Sequence, residues 1–196
     1  TGAFRNKTYG SIAALKKALL SAAPGDELLL ADGQYELTDN IDITACGKPG
    51  APIIVAAAHP GKMILTGTGA FRLQDPASYI EIRGFVFRHA SSRATSGPGT
   101  SHCRWSGNVF ETSGKGEDLI IAGDYQEVDH NNFLNKDAMG RFLAIRGRGR
   151  QIATHLWIHH NYFAHYKDQG GANGAEAFQF GLSGFSMSTS NSLVEY

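Results

Sequence analysis

Four histidines, His130, His159, His160 and His165, recur at related places along the chain. Imidazole nitrogens in such a group suit a divalent metal such as zinc, although no cysteine accompanies them. Their positions next to a repeated Phe also fit stacked polar surface or turn contacts. Lys136 and Arg146 lie in or beside long polar insertions, where a cation either meets an acidic ligand or is simply solvated. Arg148 and Arg150 read as solvated charge. Tyr125 reads either as a platform for a sugar ring or as filler of a surface gap. Trp105 and Trp157 read as core or rim packing. The carboxylates are scattered, with no Asp-Asp pair on a repeat, which disfavours a glycoside hydrolase.

Composition narrows the setting for this chemistry. The chain has 196 residues, 42% of them hydrophobic, enough for one domain with a sizeable core. Lys and Arg number 18 and so do Asp and Glu, so no long-range field draws the chain to nucleic acid or to an anionic membrane. An acidic ligand would need a locally basic groove. No stretch approaches the roughly 20 apolar residues of a membrane span. Cys46 and Cys103 read as two unrelated thiols and leave the redox compartment open. The start at Thr1, without initiator Met or signal peptide, fits a mature secreted product or a trimmed chain equally.

The elements that must position these residues follow from periodicity. Ser11 can cap an amphipathic helix through about Ala23, with Ile12, Leu15, Leu19 and Leu20 on one side and Lys16 and Lys17 on the other. Pro24-Gly25 stops it. Short β runs follow: Glu27 to Ala31, Ile53 to Ala56 and Met63 to Leu65. Four segments then repeat: Ile82-Arg-Gly-Phe-Val-Phe87, Trp105-Ser-Gly-Asn-Val-Phe110, Val128-Asp-His-Asn-Asn-Phe133 and Ile158-His-His-Asn-Tyr-Phe163. The Phe steps are 23, 23 and 30 residues, Asn108, Asn131 and Asn161 share a bend position, and Val194-Glu195-Tyr196 begins a fifth copy. A period in the low twenties built from strand-like units marks a solenoid. The expected fold is all-β: a right-handed parallel β-helix forming a single domain over 1–196, with a short N-terminal capping helix. Its longer insertions, including Lys136 to Arg141 and Lys167 to Glu176, would wall a groove.

Several ordered motifs carry a family likeness: GDELLLADGQYE, VDHNNFLNKDAMG, HHNYFAHY, GANGAEAFQFGLS and SLVEY. Together they resemble polysaccharide lyase family six, which contains alginate lyases and chondroitinase B. The resemblance runs in order from Tyr9 to Tyr196. It implies calcium-assisted β-elimination on a uronate polysaccharide, in a secreted or periplasmic setting. Calcium on the uronate carboxylate would stabilise the developing enolate while a Lys removes the C5 proton and an Arg assists the leaving oxygen.

Carried onto this sequence, the family's metal-binding Asn falls on Asn173, and Tyr125, Lys136, Arg146 and Gln179 are the expected substrate contacts. Glu176 reads as the partner of a cation on a neighbouring coil. Gln179 stands where many members have Arg, and Gln126-Glu127 stand where many have Asn-Arg. The family's remaining metal ligands, its base and its assisting Arg correspond to positions past Tyr196, so no catalytic residue is assigned here. The chain accordingly reads as an N-terminal portion lacking its C-terminal coils. A complementary chain or symmetry mate is then expected over its last coil, with aggregation the outcome for the chain alone. Alginate is favoured over chondroitin or dermatan as substrate. The alternative reading is a non-catalytic module that binds acidic glycans.

Overall fold

The computed structural model describes residues 5–90, 94–146, 152–167, 176–181 and 188–196. The one helix among them is Ile12–Leu19, capped by the Ser11 side chain, which accepts from the Ala14 amide at 3.2 Å. It buries Leu15, Ala18 and Leu19 against the first coil. It ends earlier than expected, because the Ser21 and Ala22 amides bond three residues back and tighten the last turn, leaving Leu20 in solvent.

Beyond the helix the chain is a right-handed parallel β-helix. One sheet has eight strands, two have six and a short fourth has three, and each coil adds one strand to each large sheet. Neighbouring coils pair in parallel throughout these sheets. Alternation sets the faces: in Ile80–Arg83 the two Ile point inward and Glu81 and Arg83 outward. No described helix is long and apolar enough to cross a membrane.

The six-residue repeat becomes one column and one ladder. Phe87, Phe110, Phe133 and Phe163 stack at 4.9, 4.7 and 4.8 Å, with rings within 8° of parallel. Ile82, Trp105, Val128, Ile158 and Val194 form a second column in register. The bend residues do more than turn the chain. Asn131 Oδ1 accepts from the amide and side-chain nitrogen of Asn108, both at 3.0 Å, and Asn161 does the same for Asn131 at 3.1 and 3.0 Å. Each side-chain nitrogen donates to a carbonyl of the coil below, so Asn108 and Asn131 are buried with their polar groups engaged. Position by position, the left-handed turn residues are Gly84, Gly107, His130 and His160.

Two coils approach tightly at Gly140. Its φ is +151°, and a Cβ there would lie 1.8 Å from the carbonyl oxygen of Gly116, its partner in the ladder. The neighbour is backbone and cannot swing away. Gly140→Ala is therefore expected to cost about 2–3 kcal/mol, read as a lower urea midpoint at unchanged slope. At the far end of the stack Val194 is 49% exposed, whereas Ile158 beneath it is 3% exposed.

Candidate substrate-binding face

Three adjacent strands, Gly116–Ile121, Gly140–Ile145 and Glu176–Phe180, carry alternating charge on their outer face. Glu117, Arg141 and Glu176 occupy one cross-coil row, and Ile120, Ala144 and Gln179 another. Asp118 and Leu119, and likewise Phe142 and Leu143, are consecutive buried residues, so the two-residue alternation slips there and leaves Glu117 and Arg141 directed outward while Leu119, Leu143, Ile121 and Ile145 anchor the strands in the core. Arg141 Nε donates to Glu176 Oε2 at 2.6 Å, and its Nη1 lies 3.9 Å from Glu117. Arg146 Nη2 donates to Gln179 Oε1 at 2.6 Å and to Glu117 Oε1 at 3.1 Å, while Nη1 bonds the carbonyls of Ile145 and Gly181.

Two guanidinium groups and two carboxylates thus interlock across three coils. Glu176 has the neighbouring-coil cation expected of it. Residue 179 is neutral, yet a guanidinium stands beside it, supplied by Arg146 from the preceding coil. An incoming carboxylate can exchange with Glu176, the more exposed acid of the row, for the fork of Arg141.

The other expected contacts are placed differently. Lys136 is fully buried: its ammonium donates to Asp118 Oδ1 at 2.8 Å and to the Gly114 carbonyl at 3.3 Å. Substrate contact by Lys136 is corrected accordingly, since the side chain has no exposed surface. Asp118 also accepts from the Thr112 hydroxyl. Burial pushes its carboxyl up to about 6, against the pull of Lys136 and Thr112. Tyr125 is 49% exposed, but His102 covers one ring face at 4.7 Å and His155 the other at 4.4 Å. It cannot be a stacking platform for a sugar; only its edge and hydroxyl face out. Asn173 lies outside the described residues, as do Arg148 and Arg150.

Calcium requires six to eight oxygen ligands. Glu117 Oε1, Glu176 Oε2 and Gln179 Oε1 on this face already meet Arg141 or Arg146, so these three residues do not by themselves make a calcium site. A second group of metal-binding types, Glu127, Asp129 and His159, has ligand atoms within 4.8 Å of one another on the outer face of the eight-stranded sheet. There Asp129 takes both forks of Arg104 at 2.7 Å, Ser106 at 2.9 Å and His130 at 2.7 Å. Burial opposes its charge, but these donors outweigh it and hold the carboxyl below the ordinary range.

Sequence reasoning missed the Glu117 row and the Asp118–Lys136 pair. The row had a signal: Gly116-Glu-Asp-Leu-Ile-Ile121 and Gly140-Arg-Phe-Leu-Ala-Ile145 share Gly, Leu and Ile at the same spacing. The pair had none, because Asp118 stands where the next coil has Phe142 and Lys136 lies between strands.

Residues 10–196 match the chondroitinase B family. Among solved structures, the PL6 family alginate lyase AlyGC superposes with a TM-score of 0.83 at 25% identity, over 96% of this chain and 28% of that one. A mannuronic acid specific polysaccharide family 6 lyase from human gut microbiota gives 0.80 at 24% identity, over 92% and 45%. The PL6 family polysaccharide lyase Pedsa3628 from Pseudopedobacter saltans gives 0.75 at 18% identity, over 97% and 47%. The last two likenesses speak to the fold. No curated protein matches the chain. The chain spans less than half the length of each of these three lyases.

Proposed function

Because the chain belongs to the chondroitinase B family, within polysaccharide lyase family six, we propose that it is part of a lyase for a uronate polysaccharide, most simply alginate. The observation that carries this reading is the likeness to an alginate lyase along 96% of the chain. The proposed reaction is β-elimination: the proton at C5 leaves, the bond to the leaving oxygen breaks, and an unsaturated uronate forms. Calcium, when bound through Asn173 and ligands outside the described residues, supplies charge stabilisation at the uronate carboxylate.

The part assigned to this chain is to bind and orient. Arg141 and Arg146 present guanidinium groups of fixed direction to uronate carboxylates, Gln179 and Glu117 hold Arg146 in place, and Tyr125 offers a hydroxyl at the corner of the coil. Buried Lys136 is not the base. A polymeric substrate outside the cell fits a secreted or periplasmic enzyme.

The test uses the full-length gene product carrying this chain. With calcium and alginate, the ultraviolet absorbance of the unsaturated product is expected to rise. A chelator should stop the rise and added calcium restore it. Arg141→Ala is expected to raise KM about tenfold with less effect on kcat, the signature of lost substrate binding. No product from alginate, dermatan or pectate would end the proposal. Retention on immobilised alginate without product would instead identify a non-catalytic acidic-glycan-binding module.

A further inference from the structure

On the sheet that carries the second column, three imidazoles meet. Ring centroids of His130, His159 and His160 are separated by 5.0, 5.0 and 6.0 Å. His130 and His160 are stacked within 2° of parallel and His159 stands edge-on to both, so His159 and His160 can share an ion bound about 2.0–2.1 Å from their nitrogens, and His130 joins them only by turning. His159 Nδ1 and His160 Nδ1 already face each other at 2.8 Å.

Carboxylates fix which nitrogens carry lone pairs. His159 Nε2–H donates to Glu127 Oε1 at 3.2 Å, which leaves its Nδ1 as the acceptor turned toward His160. His130 Nδ1–H donates to Asp129 Oδ2 at 2.7 Å, which leaves Nε2 free to bind. Such carboxylate–histidine pairs are the usual outer partners of metal-ligating imidazoles. Asp129 is therefore an orienting group rather than a ligand, its oxygens being filled by Arg104, Ser106 and His130. Glu27, Glu81, Glu127 and Asp129 face two guanidinium groups, Arg83 and Arg104, and the excess of acid favours a cation. His159 is 5% exposed and is backed by Trp157 at 3.9 Å, while His130 and His160 are open to solvent.

We infer that His159 and His160, joined by His130 after a turn of its side chain, bind one borderline divalent cation of the zinc, nickel and copper class. The cation takes the place of the proton between the two Nδ1 atoms, and that proton moves to Nε2 of His160. Bonding requires the Nδ1 pair to open by about half an ångström. This site is independent of the lyase reading and of calcium, which prefers oxygen ligands.

Zinc titration of the metal-free full-length gene product by calorimetry tests it, with cobalt absorption as a second readout. One ion per chain is expected, not displaced by excess calcium. His160→Gly suits the left-handed turn, where preceding coils already carry Gly84 and Gly107, and is expected to weaken zinc binding at least tenfold with unchanged circular dichroism. Glu127→Gln is expected to weaken it by about tenfold or more. Failure to bind zinc, or binding by the His160→Gly and His130→Gly variants as tight as that of the wild type, would overturn the inference.

Discussion

Lys136→Ala is expected to destabilise the chain by about 3–5 kcal/mol, because it leaves the Asp118 carboxylate buried without its cation. Both side chains are fully buried, so no water can replace the ammonium without opening the coil. Urea unfolding at neutral pH reads the loss directly. The double variant Lys136→Met with Asp118→Leu should recover most of it, since an apolar pair of similar volume avoids both desolvation costs. The pH dependence of the wild type has a defined sign. Asp118 titrates near 6 in the folded chain against a reference value of 3.8. Its contribution to stability is full below 3.8 and is lost as pH rises through about 6. His89 works in the opposite sense. Burial lowers its imidazole to about 4 from 6.5, so its contribution holds above 6.5 and fades as pH falls through 4. The two overlap between pH 4 and 6 and partly cancel. Lys136 variants are expected to retain the Asp118 proton to higher pH, which chemical-shift titration of that carboxyl would show.

Phe110→Ala is the second large effect, at about 3–5 kcal/mol. The ring is fully buried between Phe87 at 4.9 Å and Phe133 at 4.7 Å, with Trp105 tilted beside it. Removing it opens a cavity in mid-column that neighbouring coils cannot close, because their spacing is fixed by parallel backbone pairing. Phe110→Leu should recover more than half of the loss. A cost below about 1 kcal/mol for the Ala variant would mean that the column does not hold the coils together.

The parts of the fold legible in the sequence are those that repeat. Phe87, Phe110, Phe133 and Phe163 were visible as a column because each coil must present the same side chain to the same interior position. The Asn ladder was visible as a shared bend residue, although its burial and cross-coil bonding were not. Another ladder obeyed the same rule and went unread: Tyr79, His102, Tyr125 and His155 follow steps of 23, 23 and 30 residues and stack at 4.5, 4.7 and 4.4 Å. Those steps match the Phe steps, so the ladder that covers both faces of Tyr125 is written in the sequence.

The candidate site was less legible, for a physical reason. Whether a charged residue in an insertion faces solvent depends on where the insertion folds. Lys136 and Arg146 look alike in sequence, yet one turns into the core toward Asp118 and the other lies across Glu117 and Gln179. Pairing between coils about two dozen or more residues apart decides the outcome, as with Glu117, Arg141 and Glu176. Only the register reveals it.

The claim that this family member cuts a uronate polymer by elimination is tested most directly by the masses of its products. Alginate oligomers of defined length, incubated with the full-length gene product and calcium, should yield fragments whose masses sum to that of the starting chain, with no water gained. Fragments that together carry one added water per cleavage would show hydrolysis and contradict the account.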